Sequence, residues 1–137
     1  MLSYNKLRNR KEIEIMNQQE IFDKVATHLI TQGVQATSVK ESGGYPSCAY
    51  RGDNGTMCAA GCLIPDEEYN PEFEGLDWVD VEIEIPSLAS LTFEGHDLIS
   101  SLQIVHDTKS NWLSIDGLKN ALRDVASDYG LSSDILN

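Results

Sequence analysis

A chain of 137 residues, 41% hydrophobic and 23% charged, is long enough for one core and too short for two, and its composition is that of a folded domain. A formal charge of -12 excludes binding nucleic acid through phosphate neutralisation, which needs clustered Lys and Arg. No apolar run approaches the ~20 residues that span a bilayer, "MLSYNKLRNRKEIEI" lacks the apolar stretch of a secretory signal, and three cysteines form no disulfide framework, so the expectation is a cytoplasmic protein with reduced thiols and no membrane contact.

Residues 1–15 carry Lys6, Arg8, Arg10 and Lys11 without periodicity. Lys11-Glu12 can be encoded as AAG-GAG, a purine run suitably placed upstream of a start codon for Met16. The expectation is therefore that residues 1–15 are a non-native extension, a flexible basic arm being the alternative, and that 16–137 form one domain. From Met16 the chain has 20 acids against six bases.

Asn17 with Glu20 has the pattern of a capping box, and Ile21, Phe22, Val25, Ala26, Leu29 and Ile30 follow at helical spacing before Gly33. These predict a first helix over 18–31, with His28 on its flank. "SVKESGGYP" reads as a loop. "SCAYR" and "TMCAA" flank Gly52-Asp53-Asn54-Gly55, a hairpin turn signal because Asn and Gly tolerate positive φ. Pro65 and the acids after it suit the first turn of a short helix. In "WVDVEIEIP", Val79, Val81, Ile83 and Ile85 alternate with Asp80, Glu82 and Glu84, predicting a strand with one carboxylate-lined face. Leu98, Leu102 and Val105 predict a helix over 97–105. Ser114 caps a last helix, with Ile115, Leu118, Leu122, Val125, Ala126 and Tyr129 on one face and Gly130 as its stop. The expected fold is α+β: a small antiparallel sheet, made of the hairpin and the acidic strand, covered by three main helices.

The three thiols invite a metal or catalytic reading. Structural zinc takes four ligands, usually with a C-x2-C pair. The spacing Cys48-x9-Cys58-x3-Cys62 has no such pair, and a fourth ligand would have to come from His28, His96 or His106. A nucleophilic Cys needs a base and a lowered pKa, whereas the surrounding acids raise one. Small buried thiols are the simpler reading, with Cys48 and Cys58 near one another across the hairpin and "CAAGC" a passage where backbone packs on backbone. Arg51 is expected to pair with Asp66, Glu67 or Glu68. No cofactor is expected.

The pattern Cys48-x-Tyr50-Arg51-Gly52-x-x-Gly55-x-x-Cys58-Ala59-x-Gly61-x-Leu63-Ile64-Pro65-Asp66-Glu67-x-Tyr69, preceded by "IFDKVATHL" and followed by "FEG" and "IVHD", resembles a family of small uncharacterised proteins of phages, prophages and proteobacteria. The resemblance covers most of the chain from Met16 and is weakest over 76–95. It implies a viral or prophage accessory gene and supplies no catalytic residues.

Between Arg51 and Lys109 there is no Lys or Arg, yet that interval holds 13 acids. A solvated face that maintains solubility is the plain explanation. Alternate strand residues repeat every ~6.6–6.8 Å, comparable with successive phosphates of a nucleic-acid strand. Asp80, Glu82 and Glu84, extended by Asp66, Glu67 and Glu68, are therefore expected to imitate nucleic acid and to bind and inhibit a host protein with a basic surface. A rival reading is a binder of a signalling nucleotide through Tyr45, Tyr50, Arg51 and Tyr69, with aromatic stacking and a guanidinium on phosphate. A hydrolase with a metal or cysteine centre is the third.

Overall fold

Three amphipathic helices bury one stripe each against one another, and most of the other described residues form short turns, a five-residue helix and a small sheet around this core. The computed structural model describes residues 16–39, 47–89 and 91–137. The expectations for residues 1–15 and for Tyr45 lie outside them.

Helix α1 (Gln18–Gln32) starts at the expected capping box: the Asn17 side chain accepts from the Glu20 amide at 2.9 Å, and Glu20 accepts in return from the Asn17 amide. It ends where Gly33 adopts φ 71° and donates to the Leu29 carbonyl. Ile21, Phe22, Val25, Ala26 and Leu29 are buried. Strands β1 (Thr37–Ser38) and β2 (Ser47–Cys48) form a two-stranded antiparallel sheet, Thr37 opposite Cys48. Helix α2 is Trp78–Glu82, α3 is Phe93–Asp107 and α4 is Ile115–Asp128. Helices α1, α3 and α4 pack on one another through Leu98, Ile99, Leu102, Leu118 and Leu122, all essentially solvent-free. The α+β class, the small antiparallel sheet and the three main helices thus stand as expected.

The sheet's membership differs. Residues 47–48 pair with 37–38, which the sequence places at the edge of a loop, and the expected hairpin is reduced to one bridge, Arg51 to Met57. Its turn is correct: Asn54 and Gly55 take φ 59° and 75° within a 3-10 turn, and the Gly52 amide donates to the Thr56 carbonyl at 2.8 Å. The ladder stops because α1 takes over its second arm. Gln32 accepts from the Met57 amide at 2.8 Å, and Gln32 and His28 both donate to the Met57 carbonyl. Cys48 therefore faces Thr37 across the sheet, not Cys58.

Helix α3 begins four residues before the expected start, because Thr92 caps it by accepting from the Gly95 amide at 3.1 Å. Gly95 in the first turn reads as a breaker, and that masks the true start. In α4 the Ser114 cap is as expected, accepting from Gly117 at 3.0 Å, and Gly130 closes the end at φ 65°. Ile115, expected inside, is half exposed at the first turn.

The largest correction concerns the acidic strand. Residues 78–82 are helical, and helical turns continue as Glu84 donates to the Val81 carbonyl and Ile85 to that of Glu82. Trp78, Val81 and Ile85 point inward; Val79 and Ile83 are 61% and 77% exposed. The alternation of branched residues has period two, but Trp78-Val81-Ile85 also fits spacing of three and four. Burial of the large Trp78 decides between them, since the indole packs against Tyr50 with ring centroids 6.2 Å apart. Pro86 then forces Ile85 into extended backbone and ends the helical run.

The two arrangements make opposite demands on Ile83 and Ile85. Ile85→Ala should cost about 2–5 kcal/mol through transfer and cavity formation, while Ile83→Asp should change stability by no more than about 0.5 kcal/mol. Urea unfolding of both variants checks this; similar losses would restore the strand.

Candidate functional site

The central motif closes on one carboxylate. Glu74 accepts from the amides of Tyr50 at 2.9 Å and Arg51 at 3.0 Å, and from the Tyr69 hydroxyl at 2.6 Å. Arg51 lies over the Tyr69 ring, 5.0 Å from its centroid, with one nitrogen on Asp66 at 2.7 Å and another on the Ile64 carbonyl at 2.7 Å. The expected Arg51–Asp66 pair is thus present. Tyr50 is buried and donates its hydroxyl to the Leu76 carbonyl at 2.6 Å. Gly61 passes against this turn so closely that a Cβ there would sit 2.1 Å from the Tyr50 oxygen, with Ala59 and Ala60 fully buried beside it. "CAAGC" is the backbone-on-backbone passage that its small residues predict.

The proposed nucleotide ligands therefore have other tasks. Tyr50 offers no open ring face, and Arg51 already grips Asp66 and Ile64. A cleft of about 500 Å³ does border Ser47, Cys48, Arg51, Tyr69 and Glu74. Among the described residues its fixed charges are one carboxylate and a guanidinium already engaged, a poor match for phosphate.

The thiols are dispersed. Cys58 is buried and accepts from the Gly61 amide, Cys62 is half-buried and donates to the Ala59 carbonyl, and Cys48 is exposed. Burial pushes the Cys58 and Cys62 thiols up to about 12, Lys24 and Arg51 partly opposing it at Cys62, and partial desolvation of the Cys48 sulfur, with Asp107 beside it, raises Cys48 as well although the residue is exposed overall. At neutral pH none is a thiolate, which disfavours a nucleophilic role.

One constellation joins two of the candidate metal ligands, Cys48 and His106, to an acid the sequence did not single out, Asp107. Cys48, His106 and Asp107 bring a sulfur, a ring nitrogen and a carboxylate oxygen within 4.8 Å of one another. His106 is fully buried; its Nε2 accepts from the Ala36 amide at 2.9 Å and its Nδ1–H donates to Asp107 at 2.8 Å. A metal on Nδ1 would require a proton on Nε2, which would then face the Ala36 N–H donor to donor. The imidazole is a structural pin between α3 and β1. His28 and His96, the other histidines a zinc site could have drawn on, bond Met57 and Glu82.

The six carboxylates expected to bind a partner divide into two groups. Glu68 accepts from both the amide and the hydroxyl of Ser87, and Glu82 pairs with His96 at 2.7 Å across α2 and α3. Both are structural. Asp66 holds Arg51 while 90% exposed, and Glu67, Asp80 and Glu84 face solvent. With residues 78–82 helical, Asp80, Glu82 and Glu84 make no row at strand spacing, so the geometric match to a phosphate backbone is lost. The exposed carboxylates of this interval instead include Glu67, Glu72, Asp77, Asp80 and Glu84, none of them ion-paired among the described residues. Sequence reasoning missed Asp77 and Glu72 because strand alternation ranked Glu82 above them.

Two measurements follow from this geometry. Glu74→Ala strands two backbone donors and should cost roughly 2–3 kcal/mol, whereas Asp66→Ala, whose carboxylate is 90% exposed and leaves Arg51 its bond to the Ile64 carbonyl, should cost no more than about 1 kcal/mol; denaturant unfolding separates them. The buried Cys58 thiol stays protonated when folded but ionises near its ordinary 9.0 once unfolded. Its contribution to stability is thus complete below pH 9 and falls as pH rises toward 12, because the unfolded chain releases a proton that the folded one retains. Cys58→Ala should flatten the loss of stability above pH 9 in pH-resolved melts.

No family model, curated protein or solved structure matches this chain, which leaves the arrangement of its own residues as the guide to what it does.

Proposed function

We propose that this protein works by binding and that its partner is a protein with a basic surface, the chain being a phage or prophage accessory factor that inhibits a host protein. The observation that carries this reading is the exposure of Glu67, Glu72, Asp77, Asp80 and Glu84, without an ion pair among the described residues, in a stretch where no Lys or Arg occurs between residues 51 and 109. A run of like charges within 18 residues, with no base among them, adds self-repulsion that costs folding stability, so its presence favours a role outside the fold. Such a stretch raises the rate of encounter with a cationic surface and selects against acidic ones. The viral origin is supported by the central motif alone.

Catalysis is disfavoured by the chemistry of the motif and its neighbour His106: the thiols are protonated, both ring nitrogens of His106 are engaged, and Arg51 is held in an internal pair. Nucleotide binding is disfavoured because Tyr50 is buried and Glu74 shares the cleft with Arg51.

The test is affinity capture from host lysate at about 0.05 M and about 0.5 M salt, since ionic strength in that range shortens the screening length severalfold. The expected result is one basic protein retained at low salt, released at high salt, and lost with the triple variant Asp77→Lys, Asp80→Lys, Glu84→Lys. Retention by that variant, with an unchanged melting temperature, would overturn the reading.

A further inference from the structure

We infer that the docking element in this acidic stretch is the outer side of α2, and that the partner presents an apolar strip flanked by lysines or arginines. This deepens the proposed function and rests on it. Val79 and Ile83 stand four residues apart, and Ile83 keeps helical angles at the end of the helix (φ -68°, ψ -19°). Both side chains therefore share one face, 61% and 77% exposed, with Leu76 half exposed just before them. Asp80 and Glu84, also four apart, form the adjoining row. The outer surface is thus two parallel stripes, one apolar and one anionic.

A single exposed aliphatic residue needs no explanation. Here two occupy neighbouring positions beside two carboxylates without an ion pair among the described residues, within an interval that has no Lys or Arg. Charge complementarity selects the occupant: a second copy would bring acid against acid, whereas a strip with cationic edges meets both stripes at once.

The helix is also held so that these stripes cannot turn inward. Trp78, Val81 and Ile85 anchor the opposite side, and the Glu82 carboxylate pairs with His96 of α3 at 2.7 Å. Rotation to hide Val79 and Ile83 would expose the indole and break that pair. A ridge fixed before binding loses little conformational freedom on contact, which is the condition under which a short helix in a groove binds well.

The probes are a Lys/Leu amphipathic helical peptide, which carries an apolar face with cationic edges, and an oligolysine of equal charge. Each is titrated by NMR into the isotope-labelled full chain and into two variants, Val79→Ser with Ile83→Ser, and Asp77→Asn with Asp80→Asn and Glu84→Gln. The amphipathic peptide should shift the amides of residues 76–84, and the serine pair should weaken it about tenfold or more, as expected for losing two buried aliphatic contacts. Oligolysine should bind more weakly and ignore the serine pair. Loss of binding only in the neutralised variant would overturn this inference and leave the proposed function standing. Indifference to both variants would overturn the two together. Self-association in sedimentation that disappears with Ile83→Ser would make a second copy the occupant and overturn the cationic partner. All substituted positions are exposed, so unchanged thermal melts are required of both variants.

Discussion

The conformation of the central motif depends on the carboxylate of Glu74. Its oxygens collect two consecutive backbone amides and a tyrosine hydroxyl, joining residues 50–51 to 69 and 74 in one knot. This fixes the turn that presents Arg51 to Tyr69 and Asp66, and it holds Tyr50 where its ring meets Trp78. Since Trp78 is the residue that makes α2 helical, the helix and its outward stripes trace back to the same carboxylate. A charged acceptor with three donors is favourable where a half-satisfied one would be costly.

The same logic runs through the acidic segment. A stretch without Lys or Arg must satisfy its inward carboxylates with N–H and O–H donors. Glu68 uses the backbone and hydroxyl of Ser87, Glu82 uses His96, and Glu74 uses its three partners. What is left over faces water. The fold therefore sorts one run of acids into structural acceptors and a solvent-facing set, and only the second is free to act on another molecule.

The cysteines and histidines follow a different division of labour. Cys58 and Cys62 fill space and hydrogen-bond within the "CAAGC" passage, while His106 pins α3 to the start of β1, its ring edge-on to Trp112 at 5.6 Å. The motif that looks richest in chemistry is chiefly a folding unit.

The sequence by itself determined the three long helices, their caps at Asn17 and Ser114, the turn at residues 52–55 and the tight passage at Gly61, because each rests on local periodicity or on a backbone constraint that few residues meet. It also located the acids and the absence of Lys and Arg between residues 51 and 109. Only the tertiary structure decided which way residues 78–85 fold, since a short apolar run satisfies both periods and the burial of Trp78 against Tyr50 breaks the tie. The same holds for β2, whose partner is residues 37–38 because α1 had already claimed the backbone of Met57. Which carboxylates are free was likewise invisible in one dimension: Glu68 and Glu82 are consumed by Ser87 and His96, residues 19 and 14 positions away.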